Sequence, residues 1–415
     1  MNVFLHTFGC KANQYDTEAV RQRLEDAGCA VVDAPEHADA AVVNSCTVTH
    51  VGEAKMRSLV RRLARRNPAI RTVVMGCAAA LDDGRIAALP NVASVVAGPD
   101  GEAVARALGV EAGAEPGLRR FVSGSRAWLK IQDGCDEHCT FCATVLARGR
   151  GVSREPEALV AEAAQLARSH AEIVLTGVHI GTWGQDLGAP WTLSALVTLL
   201  VERVDGVRFR LSSVEATEVD DRLVALMEQA PGRLAPHLHA PLQSGSDAVL
   251  KRMGRHWYTA ASYRAAVERL AARVAPLGLG ADVIVGFPGE GEAEHGATVR
   301  LIEELPFTYL HVFPYSEREG TAAVRLGPVG EPAAVRGRAA ELRALGEAKA
   351  AAHRSSRGGA RADLVLESRR GGLREAVSED YLTALLPADA PWALGRSRVA
   401  ARLVARGSEL FAEAM

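Results

Sequence analysis

Lysine is nearly missing from this chain. Its 48 basic residues include lysine only at positions 11, 55, 130, 251 and 349. Beside abundant alanine and glycine, that bias reflects coding composition rather than function. No run reaches the eighteen or so apolar residues of a membrane span. The opening MNVFLHTFGC has neither a basic start nor an apolar core, so it does not read as a signal peptide. A formal net charge of −2 carries no global nucleic-acid signal, so any such surface must be local. There is no low-complexity tract and no long-period repeat, and nothing in the sequence sets an oligomeric state. Seven cysteines are an odd number. In a chain without secretion signals they argue for thiolate ligands in a reducing compartment, with the cytoplasm as the expected location.

What is present is concentrated in LKIQDGCDEHCTFC. Cys135, Cys139 and Cys142 form a Cys-x-x-x-Cys-x-x-Cys triplet. Three thiolates this close cannot form a compact disulfide framework, and they fall one short of a closed zinc site, which takes four ligands. Soft thiolates select zinc, copper(I) or iron–sulfur. A [4Fe–4S] cluster held by three cysteines leaves one iron open to a substrate or cofactor. The competing reading is a zinc knuckle completed by His138 or by a distant ligand. Gly134 gives the loop the freedom to wrap a cluster, and Phe141 within it shields the site from water.

Length alone favours about three domains. Across residues 1–115, short apolar runs (VFLHTF 3–8, AAVVNS 40–45, TVVMG 72–76, VASVVAG 92–98) alternate with helical patterns such as TEAVRQRLEDAG (17–28). That alternation predicts a parallel sheet with helices on its faces. Cys10, Cys46 and Cys77 each follow one of the first three runs. Ligands of open α/β sheets bind beyond the carboxyl ends of the strands, so these cysteines form a second candidate three-thiolate site. The alternative is three separate buried cysteines. Cys29, which opens the run CAVVDA, reads as structural.

Residues 110–120 (VEAGAEPGLRR) read as a linker. Six further strands are expected at 127–132, 171–178, 207–213, 234–241, 279–287 and 307–315, with helices between them, which suits a partial (β/α)6 barrel. Such barrels place chemistry at their strands' carboxyl ends, where the Cys135 triplet falls. Gly177 in TGVHIG, Ser212, Ser213 and Glu215, Gln243 and Ser244, and Asp282 also fall there, where a polar cofactor needs partners. Singly, such residues are more often solvated or helix caps. The two glycines of TGVHIG are expected to let backbone approach a ligand. Residues 333–354 read as a helix. From about 358, short alternating segments predict a small antiparallel β-barrel.

KMRSLVRRLARRNPAIR (55–71) has seven basic residues and no acid. Leu59, Val60 and Leu63 should face inward. The outer face is either merely solvated or a phosphate-contacting surface, with Arg61, Arg62 and Arg65 the candidate RNA-binding residues.

HTFGCKANQYDTEA, VVNSCTVTHVGEAKMR, VVMGCAAAL, IQDGCDEHCTFC, APLQSGSDAVLKRM, DVIVGFPGE and HVFPYSEREGTAA lie in order along nearly the whole chain. In these motifs it resembles the radical S-adenosylmethionine methylthiotransferases. The resemblance implies an N-terminal cluster domain (1–115), a radical S-adenosylmethionine core (121–354) and a TRAM-like domain (355–415). It implies two [4Fe–4S] clusters, one on Cys135, Cys139 and Cys142 and one on Cys10, Cys46 and Cys77. S-adenosylmethionine would bind the open iron of the first through its amino and carboxylate groups, with Phe141 near its adenine and Gly177, Ser213, Glu215, Gln243 and Asp282 around it. One-electron cleavage of that cofactor would make a radical that takes hydrogen from the substrate, and the second cluster would deliver methylated sulfur. Both clusters must then face one cavity.

CKANQYDTEA, CTVT followed by GEAKMR, and FTYLHVFPYSEREGT are closest to the branch acting on N6-threonylcarbamoyladenosine at position 37 of tRNA, beside the anticodon. Other branches act on isopentenyladenosine in tRNA or on an aspartate of a ribosomal protein. A sulfur donor and an electron donor such as a flavodoxin or ferredoxin are implied. The non-enzymatic rival is a zinc-stabilised RNA-binding protein. The chain departs from its branch after Cys142, where Ala143-Thr144-Val145-Leu146 replaces Ile-Ile-Pro and an aromatic, and its TRAM-like region is short.

Overall fold

The computed structural model describes residues 1–47, 50–111, 113 and 117–415. The first unit is a five-stranded sheet of β1 (Asn2–Thr7), β2 (Ala30–Val32), β3 (Ala40–Ser45), β4 (Arg71–Gly76) and β5 (Val92–Ala97). All its pairings are parallel, in the order β2-β1-β3-β4-β5. Helices α1 (Lys11–Asp26), α2 (His50–Arg66), α3 (Cys77–Ala80) and α4 (Gly101–Leu108) connect the strands. Every residue of β3 is buried, as in a parallel sheet covered on both faces. Ala41 and Val43 pack under α2 with Met56, Leu59, Val60 and Leu63. Ala40 and Val42 point the other way, to Val20, Leu24 and Val104 of α1 and α4. Cys29 is buried in that second layer, the structural role expected of it.

Helix α1 starts six residues before the expected position. Several of its early buried residues are polar: Asp16 meets Lys130 and Arg148 and Glu18 the Val122 amide of the next unit, whereas Asn13 and Thr17 bond to Phe8, Ser45, Thr7 and Asn44 of the sheet. Hydrophobic periodicity is blind to such a face. Part of the expected linker, residues 112 and 114–116, lies outside the described residues. Gly117 closes it, its carbonyl accepting from Gln22 Nε2 at 2.9 Å.

The second unit carries six parallel strands in two halves. β6 (Ala127–Lys130), β9 (Glu172–Thr176) and β10 (Arg208–Leu211) form one; β11 (His237–His239), β12 (Gly278–Val285) and β13 (Tyr309–Pro314) form the other. Parallel bridges Phe209–Leu234 and Ser213–His239 join them, so the sheet curves as an open barrel. The expected first strand breaks at Ile131, and Gln132–Asp133 (β7) pairs antiparallel with Val152–Ser153 (β8). Short α5 (Thr144–Arg148) follows the cysteine loop. The outer helices are α6 (Pro156–Ala167), α7 (Leu193–Arg203), α8 (Asp221–Gln229), α9 (Asp247–Arg252), α10 (Ala260–Arg273), α11 (Glu292–Glu304) and α12 (Pro332–Ser356). One continuous apolar core fills the space between barrel and helices. No helix among the described residues is long and apolar enough to cross a membrane.

The third unit is a closed barrel of β14 (Arg361–Arg370), β15 (Leu373–Val377), β16 (Thr383–Pro387), β17 (Arg398–Arg406) and β18 (Glu409–Glu413). Four of its joins are antiparallel, and β16 meets β18 in parallel. It is riveted to the second unit by buried ions. Glu172 takes Arg208 Nε at 2.6 Å and Arg210 Nε at 2.8 Å. The same guanidiniums reach on to the carbonyls of Asp363 (2.9 Å), Ser378 (2.9 Å) and Glu379 (3.0 Å).

Candidate active site

Cys10, Cys46 and Cys77 stand at the carboxyl ends of β1, β3 and β4, which are neighbours in the sheet. Adjacent strands lie about 4.8 Å apart, so residues distant in sequence meet. Asn13 holds the centre. Its Oδ1 lies 3.9 Å from Cys10 Sγ and 3.8 Å from Cys77 Sγ, while its Nδ2 donates to the carbonyls of Phe8 and Ser45, both at 2.9 Å. Gly9 is required here: at φ +112° a Cβ would sit 2.9 Å from that of Cys46.

Cys135, Cys139 and Cys142 follow β7. Backbone amides of Glu137 and Thr144 each donate to a sulfur, Cys135 and Cys142 respectively, at 3.4 Å. Gly134 has φ +69°, as the wrapping loop demands, and is pressed so close to Arg150 that a Cβ would fall 1.8 Å from its carbonyl oxygen. Phe141 packs edge-on against Phe287, ring centres 6.2 Å apart.

All six cysteines line one cavity of about 340 Å³ between the sheet's carboxyl edge and the barrel mouth. Phe141, Gly177, Ser213, Glu215, Gln243 and Asp282 line it too. The sequence-derived residues therefore converge. The glycines of TGVHIG are also required by their neighbours: a Cβ on Gly177 would strike the Gln132 carbonyl at 2.6 Å, and one on Gly181 the Glu218 carboxylate. Asp282 is already engaged, its Oδ1 lying 3.0 Å from His239 Nε2 and 3.2 Å from His311 Nδ1. These two imidazoles hold its carboxyl below the usual range even though burial opposes that shift.

The donor set suits clusters better than single ions. Tetrahedral zinc would hold its thiolates roughly 3.8 Å apart. Among the described residues, the one His/Cys/Asp/Glu trio whose ligand atoms all lie within 4.8 Å is His239, Asp282 and His311. Neither cysteine triplet falls within that spacing, and His138 is exposed. Burial pushes the Cys77 thiol up to about 11 and the Cys139 thiol up to about 12, so their thiolates need cations. Each has one nearby: Arg148 Nε donates to Cys77 Sγ at 3.1 Å, and Arg255 Nη1 to Cys139 Sγ at 3.5 Å. Glu215 gives one carboxylate oxygen to Arg255, while Oε2 is buried with no partner. That orphan on the cavity wall fits the hydroxyl or ammonium of a polar cofactor.

Sequence reasoning missed Arg148, Arg255 and His179, whose Nδ1 lies 3.6 Å from Cys135 Sγ and whose Nε2 lies 2.7 Å from Glu218. It also missed a chamber of about 500 Å³ that shares Cys10, Lys11, Cys46, Ser213 and Asp282 with the first cavity. The Tyr309 hydroxyl sits there between His237 Nε2 (2.9 Å) and His239 Nδ1 (3.1 Å). The alternation in HLH and YLHVF was the available signal: every second residue is aromatic and faces one side. Tyr381, from the third unit, closes the chamber with φ +69° and packs against His237, ring centres 4.4 Å apart and planes tilted by 34°. Arg61, Arg62 and Arg65 are exposed on α2, opposite its buried apolar stripe.

Residues 2–98 match the family model described as uncharacterized protein family UPF0004, and residues 129–302 match the radical SAM superfamily. The threonylcarbamoyladenosine tRNA methylthiotransferase MtaB of Bacillus subtilis (strain 168) is 40% identical over 343 residues, covering 78% of this chain and 75% of that protein. The chain belongs to the radical S-adenosylmethionine methylthiotransferase family. Its relative of the same name in Thermotoga maritima is 37% identical, covering 78% of this chain and 77% of its own. A tRNA-2-methylthio-N(6)-dimethylallyladenosine synthase of Jannaschia sp. (strain CCS1) is 35% identical, with 79% and 76% covered. Among solved structures, the radical S-adenosylmethionine methyltransferase TsrM of Kitasatospora setae, with cobalamin and a [4Fe–4S] cluster bound, shares the fold: TM-score 0.57, 14% identity, 75% of this chain and 74% of that one. Membership implies S-adenosylmethionine and two [4Fe–4S] clusters as cofactors.

Proposed function

We propose that this enzyme adds a methylthio group to C2 of N6-threonylcarbamoyladenosine at position 37 of tRNA. The observation that carries the reading is the single cavity lined by both cysteine triplets and open to an aromatic, polar chamber. Cys135, Cys139 and Cys142 would hold one cluster, and Cys10, Cys46 and Cys77 the other. When bound, the clusters and S-adenosylmethionine supply one-electron cleavage and sulfur delivery. The chain's own residues position and enclose. Asn13, Arg148, His179 and Arg255 brace the sulfurs. Glu215 and Gln243 offer polar contacts to the cofactor, Gln243 from a backbone held at φ +60° between β11 and β12. Tyr309, Tyr381 and Phe313 offer faces on which a base splayed from the anticodon loop can stack.

The relatives' names support the substrate: MtaB proteins recur among the matches, up to 40% identity. The exposed arginines of α2 would contact tRNA phosphates, and the third unit would contribute Tyr381. A low-potential donor such as a flavodoxin or ferredoxin and a separate sulfur source complete the reaction, in the cytoplasm where tRNA resides. The wide sulfur spacing speaks against the zinc-stabilised alternative. The test is mass spectrometry of tRNA nucleosides from cells with and without this gene. The methylthio derivative of threonylcarbamoyladenosine should vanish with the gene; loss of the isopentenyladenosine derivative instead would reassign the substrate.

A further inference from the structure

Lysine is rare in this chain, yet Lys11 sits between the cysteines and the chamber, lining both spaces. It is the first residue of α1, pinned beside Cys10. Its ammonium lies 5.9 Å from the centre of the Trp128 ring. Two other side-chain cations line the chamber, and both are spoken for. Arg126 pairs with Glu172 and Glu367. Arg210 is bound to Glu172 and to the carbonyls of Ser378 and Glu379. The chamber's one lining carboxylate, Asp282, is committed to His239 and His311. Among the described residues no carboxylate pairs with Lys11. The wall thus presents one uncommitted positive charge over an aromatic floor, and an anion entering the chamber would displace nothing to reach it.

We propose that Lys11 is the specificity-determining residue of the chamber, pairing with the free carboxylate of an amino-acid substituent on the substrate adenine. This rests on the threonylcarbamoyladenosine reading above, since that substituent ends in a carboxylate whereas an isopentenyl group is neutral and apolar. A neutral substituent would leave the ammonium partly desolvated without a partner, so Lys11 both attracts the right base and penalises the wrong one.

The test is binding rather than turnover. Three anticodon stem-loop RNAs are compared on iron-loaded enzyme: one with N6-threonylcarbamoyladenosine, one with the same group as its neutral carboxamide, and one with plain adenosine. A charge-assisted pair predicts that wild type prefers the carboxylate RNA to the carboxamide by about tenfold to a hundredfold. K11Q should lose that preference while binding the carboxamide and plain RNAs as wild type does; K11R should keep most of it. Iron content equal to wild type verifies that Cys10 still performs its role. K11Q retaining the preference, or weakening all three RNAs equally, would overturn the assignment and leave the substrate reading standing. Wild type binding the threonylcarbamoyl and plain RNAs alike would overturn both.

Discussion

Replacing Arg148 with methionine should loosen the joint between the first two units. The side chain is 2% exposed and makes five polar contacts. Nη1 donates to both Asp133 oxygens at 2.7 and 2.9 Å, Nη2 to Asp16 at 2.8 Å and Asn13 at 2.6 Å, and Nε to Cys77. Asp16 belongs to α1 of the sheet unit, whereas Asp133 and Lys130 belong to the barrel. Lys130 bridges the same two carboxylates, so two cations balance two anions across the interface. Methionine keeps the volume and removes one cation. Two buried carboxylates then share Lys130, and breaking a buried pair in this way costs about 3–5 kcal/mol. Asp133 is a quarter exposed, which puts the expectation near the lower value, about 3 kcal/mol. Anaerobic urea denaturation followed by tryptophan fluorescence measures it, since Trp128 spans the joint through a hydrogen bond to Gln14 at 2.5 Å. The D16N/R148M double variant should recover part of the loss, because the unbalanced charge goes with it. A loss under about 1 kcal/mol for R148M, or strictly additive effects, would refute the charge-balance argument.

Glu172→Gln should cost about 3–5 kcal/mol, because Arg208 and Arg210 lose their shared buried counter-ion. Burial alone would raise the Glu172 carboxyl, but Arg210 and Arg208 hold it far below the usual range. Its contribution is therefore complete above about pH 4.3 and lost as pH falls below that, so E172Q should show a flatter acid limb in a pH series of melts. Reversing charge at Arg61, Arg62 and Arg65 should weaken tRNA binding and reduce the slope of log K against log salt by up to about 3, read by filter binding at several ionic strengths; an unchanged slope removes α2 from the interface. Anaerobically reconstituted protein should carry about eight irons, and C10A/C46A/C77A or C135A/C139A/C142A should each keep about four; zinc in place of iron would contradict the ligand assignment.

The architecture was legible because it is written in apolar periodicity. Runs such as AAVVNS and TVVMG became strands at or within one residue of the expected bounds, and the cysteines after them met because β1, β3 and β4 are neighbours. What periodicity could not reveal is polar. The first turns of α1 bury Asn13, Asp16 and Glu18 in polar contacts, so no apolar periodicity marked the helix before residue 17. Arg148 touches Asn13 across 135 positions and Cys77 across 71, and Arg255 reaches Cys139 across 116. Partnerships at such separations leave no local mark. Glycines were visible, but their neighbours were not: a Cβ at Gly177 or Gly181 would meet Gln132 or Glu218, partners distant in sequence. The last strand, Glu409–Glu413, was missed. It is short: it folds back on β17 as a hairpin across Gly407-Ser408, and its other edge pairs in parallel with β16 to close the third unit.

Both cysteine triplets line one cavity that adjoins the aromatic chamber, the arrangement proposed to serve threonylcarbamoylated adenosine. The most direct measurement is mass spectrometry of defined tRNA after incubation with reconstituted enzyme, S-adenosylmethionine, a sulfur source and a low-potential reductant. The expected product carries a methylthio group on threonylcarbamoyladenosine 37, absent when either cysteine triplet is replaced by alanine. A product on isopentenyladenosine or on a ribosomal protein, or methylthiolation surviving the loss of Cys10, Cys46 and Cys77, would contradict it.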